Sequence, residues 1–150
     1  KREANGAGIA ANQVYDTRRV FIVENVDNPR YPYKPNFPLT VLVNPVITPL
    51  SDARFENFEG CLSIPNLRGR VERFAEIRVQ GWDRQAEPVD FELRGLTAGT
   101  FQHELDHLDG VLFVDRLSDS RSLCTVQHFE RFEKDRFAEE ASALVEKYGN

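Results

Sequence analysis

Methionine is missing from all 150 residues, position 1 included, so the chain is expected to lack its native start. Cysteine is nearly missing. Cys61 and Cys124 are too few for a disulfide framework, which points to a reducing compartment and, with no signal-peptide pattern in view, to the cytoplasm. No apolar run approaches the roughly 20 residues that span a bilayer, so a membrane is not expected as a partner. Positive charge is in deficit: 19 Lys and Arg stand against 24 Asp and Glu, a net charge of -5. That balance argues against direct binding of nucleic acid. Internal repeats and low-complexity tracts are not evident. Histidine is scarce too, yet two of the three, His103 and His107, stand four positions apart.

What is present is ordinary for one globular domain over residues 1–150: 41% hydrophobic and 29% charged residues. Residues 4–13, ANGAGIAANQ, are small and Gly-rich and read as a loop or close-approach segment. RRVFIVE (18–24) and LTVLVNPVIT (39–48) are compact apolar strands, the second broken near Pro45. Between them, 26–38 holds four of the eight prolines and reads as a variable loop without chemistry. FENFEGCLSIP (55–65) is strand or loop, while 69–83 and 88–95 alternate as strands with an exposed face. The period then turns helical over 97–108, TAGTFQHELDHL, with Thr97 as cap and Gly110 just past the end. Phe101, Leu105 and Leu108 share one face and the two histidines the other. Residues 120–149 read as one long amphipathic helix with Val126, Phe129, Phe137, Ala141, Leu144 and Tyr148 inward. Strands first and helices late imply an α+β fold: mixed or antiparallel sheets around a central helix, closed by the amphipathic C-terminal one.

His103-Glu104-Leu105-Asp106-His107 is an H-E-x-x-H pattern. One helical turn sets the imidazoles about 5–6 Å apart on one face, a chelating distance for a single ion. Glu104, beside the first histidine, can reach a metal-bound water without being a ligand. Two ligands do not complete a site. Phe113 stands where the metzincin pattern requires a third histidine, which removes that class. Glu130 or Glu133 could serve as in a zinc metallopeptidase, although a solvated helix face explains both better. Cys61 is the other option, since a thiolate binds transition metals strongly; alone, it reads as a small buried hydrophobe. A non-catalytic, metal-stabilised binding module also fits the two histidines.

Three stretches in this order, GAGIAANQ (6–13), EGCLSIP (59–65) and QHELDHLDG (102–110), resemble the signature motifs of the peptide deformylases. The resemblance runs from about Gly6 to Leu117, and the form of the second motif with Arg68 and Arg73 is similar to the bacterial type. The family carries further residues before its first glycine motif, so the N-terminal part is expected to be missing here.

The resemblance implies one divalent ion, Fe²⁺ with Zn²⁺ or Ni²⁺ as substitutes, held by Cys61, His103 and His107. It implies hydrolysis of the N-terminal formyl group of formyl-methionyl nascent polypeptides, with release of formate and a place near the ribosome. Glu104 would move the proton of the attacking water, with the Gln13 amide and Leu62 N–H as oxyanion donors. The peptide would pair along the backbone of Ala7 and Gly8. Leu96, Gly99 and Thr100 would line the first side-chain pocket, with Arg68 further along; Gly99 and Thr100 are smaller or more polar than the family's usual apolar choices. Glu59 and Arg73 would form an ion pair behind the Cys61 loop.

Overall fold

Alternation along the first hundred residues resolves into antiparallel strands of two sheets. A computed structural model describes residues 1–149. β1 (Gly8–Ala10), β2 (Val20–Asn25), β3 (Phe37–Pro49), β6 (Glu76–Trp82) and β7 (Pro88–Arg94) form one sheet in the order β1-β2-β3-β6-β7. β4 (Arg54–Cys61), β5 (Ile64–Phe74) and the short β8 (Cys124–Thr125) form the other. β2 alternates strictly, so Phe21 and Val23 turn inward. β3 passes Pro45, which has no N–H to donate, by a shift of register between Val43 and Val46.

The 69–83 stretch is two strands, not one. At Ala75, fully buried, the chain leaves one sheet for the other; its N–H donates to Ala53 and its carbonyl accepts from Gly95, both at 2.8 Å. The helix α1 runs over Gly95–Leu108, two residues earlier than the cap at Thr97 predicts. Gly95 adopts φ +54°, a left-handed turn that glycine takes without strain, and this turn carries the chain from β7 into the helix. Thr97 is buried inside α1 and caps nothing.

α1 contacts strands of both sheets. Its Ala98 and Phe101, with Leu105 and Leu108 alongside, pack on the larger sheet against Phe21, Leu42 and Ile77. Leu96 joins a second core of Phe55, Phe58, Phe129, Phe137 and Ala141 under the smaller sheet. A third, small core holds Cys61, Val71 and Phe113.

The single helix predicted for 120–149 is interrupted. A 3-10 turn at Ser120–Ser122 leads into β8, where Cys124 and Thr125 pair with Arg68 and Leu67. The helix then starts as α2 (Val126–His128), capped by Thr125 Oγ1 accepting from the His128 N–H at 3.1 Å. A π-helical turn at Phe129–Glu133 follows, then α3 (Lys134–Tyr148). Free strand edge on β5 outcompetes helical propensity at Cys124 and Thr125. Among the described residues no helix is long and apolar enough to cross a membrane.

Candidate metal centre

Cys61 closes β4 and the two histidines face it from α1. Cys61 Sγ and one nitrogen from each of His103 and His107 lie within 4.8 Å of one another, with Sγ 3.2 Å from His107 Nε2. The rings stand edge to face, centroids 4.8 Å apart. One soft and two borderline donors converging at this spacing fit a divalent transition metal. Glu130 and Glu133 lie outside this group, and Glu130 pairs with Lys134 at 2.8 Å. The metallopeptidase reading therefore loses its third ligand.

A buried charge chain holds the histidine face in place. Glu59 accepts from Arg73 at 2.8 and 2.9 Å and bonds His103 Nδ1 at 2.8 Å. Burial would raise the Glu59 carboxyl, but Arg73 and His103 outweigh it and hold it well below the usual range. An ionised Glu59 accepts the Nδ1 proton, which leaves Nε2 of His103 for the cluster. Arg73 also donates to Asp106 at 2.6 Å, and Asp106 accepts from Arg116 at 2.8 Å. Glu59 thus supports a ligand directly rather than only the Cys61 loop.

Burial alone would raise the Cys61 thiol; hydrogen bonds from His103 and His107 reverse this and bring it to about 5. The thiolate, the form that ligates metals, is favoured at neutral pH. Glu104, 4% exposed, is pushed up to about 7 by burial, against the opposing pull of His103 and His107. Its Oε2 has no hydrogen-bond partner, an orphaned buried oxygen on a residue that lines the cavity beside the cluster. Gly8 is what admits this carboxylate: a Cβ there would sit 2.2 Å from Glu104 Oε1.

Gln13 stands on a 3-10 turn after β1. Its Oε1 accepts from the Ala10 N–H at 2.8 Å, and its Nε2 donates to Ser63 at 2.9 Å and lies 3.7 Å from Cys61 Sγ. Leu62, in the turn between β4 and β5, lines the same cavity, as do Ala7, Gly8, Gly99, Thr100 and Arg68. Leu96 does not: it is 1% exposed and belongs to the second core, because the helix begins two residues early and turns it away. Arg68, on β5, is 2% exposed.

Three participants escape sequence reading. Asn12 bonds the His107 carbonyl through its amide. Asp106, between the two histidines, carries the charge chain onward, and its place inside the H-E-x-x-H motif was the available signal. Lys34, from the Pro-rich segment read as having no chemistry, brings Nζ to Thr100 Oγ1 at 2.9 Å. A contact across 66 positions leaves no local trace.

The polypeptide deformylase family matches residues 1–122. The chain belongs to that family. It is 45% identical to peptide deformylase 1 of Nitrosomonas europaea over 117 residues, 78% of this chain and 66% of the relative. It is 43% identical to peptide deformylase 2 of Nostoc over 128 residues, 85% of this chain and 72% of the relative. A solved class I type b peptide deformylase from Acinetobacter baumannii with Met-Ala-Ser bound is similar in structure. Its TM-score is 0.74 at 46% identity, covering 77% of this chain and 73% of that one. The match thus reaches just under two thirds of the Nitrosomonas deformylase's length. The chain has the α+β class expected from the sequence, with antiparallel sheets and a C-terminal helix, and its fold matches that of the solved deformylase.

Proposed function

We propose that this chain, as one catalytic domain, hydrolyses the formamide at the N-terminus of formylated peptides, releasing formate. One observation carries the reading: three convergent metal donors stand beside a buried carboxylate with an unpartnered oxygen. Cys61, His103 and His107 would hold the ion, which when bound acts as a Lewis acid and acidifies water. Iron as the working ion, the cytoplasm and proximity to the ribosome accompany the reading through the family.

Glu104 takes the proton of the attacking water and passes it to the departing amine. Its pKa near 7 suits both directions of transfer at neutral pH. Gln13 Nε2, near Cys61, and the Leu62 N–H are the donors proposed for the developing oxyanion. β1 is an edge strand with only β2 beside it, so an extended peptide can add along Ala7 and Gly8. The Met-Ala-Ser bound to the Acinetobacter relative has the form of a deformylated peptide product.

The test is formate release from formyl-peptides that vary the first side chain, formyl-methionyl among them, by metal-loaded protein. Glu104→Gln should lower kcat about 10²–10⁴-fold with the metal retained, whereas Cys61→Ala should lose the metal. Metal-loaded wild type that releases no formate from any member of the set would overturn the reading.

A further inference from the structure

Arg68 holds its charge in an unusual way. It is nearly fully buried and lines the cavity beside the ligand cluster, yet its Nε and Nη1 donate to nothing. Two aromatic faces hold it instead. The guanidinium carbon lies 5.2 Å from the centroid of the Tyr31 ring and 5.2 Å from that of Phe129. A guanidinium is planar, delocalised and weakly hydrated, so π faces can stand in for a counter-ion. They engage the face of the ion and leave its in-plane N–H donors free. Backbone presses from another side: a Cβ on Gly60, the residue before Cys61, would sit 3.2 Å from Nε.

The two rings come from distant parts of the chain. Tyr31 belongs to the Pro-rich segment between β2 and β3, where the Asn25 amide donates to the Lys34 and Pro35 carbonyls at 3.2 and 2.9 Å. Phe129 opens the π-helical turn of the C-terminal segment, and the pairing of Cys124 in β8 with Arg68 brings that segment alongside. Phe129 rests in turn on Phe58 and Phe137, with centroids 5.0 and 6.0 Å away, and Tyr33 packs on Phe137 at 5.1 Å. One aromatic cluster thus joins the Pro-rich segment to the C-terminal one, and Arg68 is the cation set into it. Buried donors without partners are costly, and an acceptor brought by a ligand removes that cost. A bound peptide carries such acceptors in its backbone carbonyls.

We propose that Tyr31 and Phe129 are positioning residues: they hold Arg68 ready for the backbone carbonyls of the bound peptide, so the C-terminal segment contributes to peptide affinity. The proposal rests on the deformylase reading, so affinity and turnover are read separately. Calorimetry of Met-Ala-Ser on metal-loaded protein reads affinity alone, and kinetics on formyl-Met-Ala-Ser give KM and kcat. Phe129→Leu and Tyr31→Leu should each weaken Met-Ala-Ser about 3–10-fold and raise KM alike, with a smaller change in kcat. Tyr31→Phe keeps the ring and should stay near wild type. Arg68→Met removes the ion, and exchanging a buried charge for an apolar chain costs the fold little. In that background neither ring substitution should weaken binding further. A merely structural role predicts the same loss with Arg68 present or absent, and that result overturns the proposal. Wild-type affinity in both leucine variants, or no binding of Met-Ala-Ser to the wild type, also overturns it. If Phe129→Leu fails to fold, Tyr31→Leu decides by the same comparison. No formate release, with the dependence on Arg68 intact in binding, overturns the deformylase reading and leaves the positioning role standing.

Discussion

Gly8 and Glu104 show how much of this site turns on single atoms. The Gly8 α-carbon leaves just enough room for the Glu104 carboxylate; a methyl group would lie 2.2 Å from Oε1 and 2.6 Å from Cγ. The side chain would have to swing away, while the ligand atoms of Cys61, His103 and His107 need not move. Gly8→Ala should therefore retain metal and fold yet lose activity about 10²-fold or more, approaching the loss from removing the acid–base group. Metal content by elemental analysis and formate kinetics on the same preparation check this. Unchanged kcat would mean that the carboxylate does not need its present position. At this scale the sequence was most legible: Cys61, the two histidines and Glu104 are chemically distinctive residues in rigid local motifs. Leu96 was misjudged because a helix start shifted by two residues, a little over half a turn, decides whether a residue faces cavity or core.

At the scale of elements, α1 is held to β4 and β5 by charge as well as by packing. Arg73 on β5 sits between Glu59 on β4 and Asp106 on α1, with all three side chains at most 10% exposed. Deleting one member leaves a buried charge without its partner. Arg73→Ala should cost about 3–5 kcal/mol in denaturant unfolding, and about 10–100-fold in metal affinity through the freed Glu59–His103 bond. Arg73→Lys cannot engage two carboxylates in the same planar way and should recover only part of either loss. A wild-type-like unfolding midpoint for Arg73→Ala would refute the structural role. The sequence showed the Glu59–Arg73 pair but not its extension, since strand register and helix phase together bring Asp106 to Arg73. Element boundaries failed for related reasons. Gly95 supplied the turn that a Thr97 cap seemed to require, and strand pairing at Cys124 and Thr125 cut into a sequence that is amphipathic throughout.

Across the whole molecule, the C-terminal segment closes the second core, and one exposed-to-buried transition ties it down. Arg70 on β5 lies over the Phe58 ring at 4.4 Å and donates to Glu140 on α3 at 2.9 Å. The Arg70 hydrogen bond, with help from its charge and that of Arg136, holds the Glu140 carboxyl below its ordinary pKa despite some burial. A carboxyl depressed in the folded state contributes stability above its unfolded pKa, near 4.3, and that contribution disappears as pH falls through the folded value. Glu140 keeps a third of its side-chain surface in water, so the pair is worth about 0.5–1 kcal/mol at most. Glu140→Gln should then lower Tm by about 1–3 °C at pH 7. The gap should begin to narrow below about pH 4.3 and vanish once the wild-type carboxyl is protonated, because both proteins then present a neutral group to Arg70. Thermal melts of the two proteins between pH 7 and pH 3 give the comparison. A gap that is constant over that range would assign the effect to packing of the α3 face, Phe137 included, against Phe58, not to the charge that docks it.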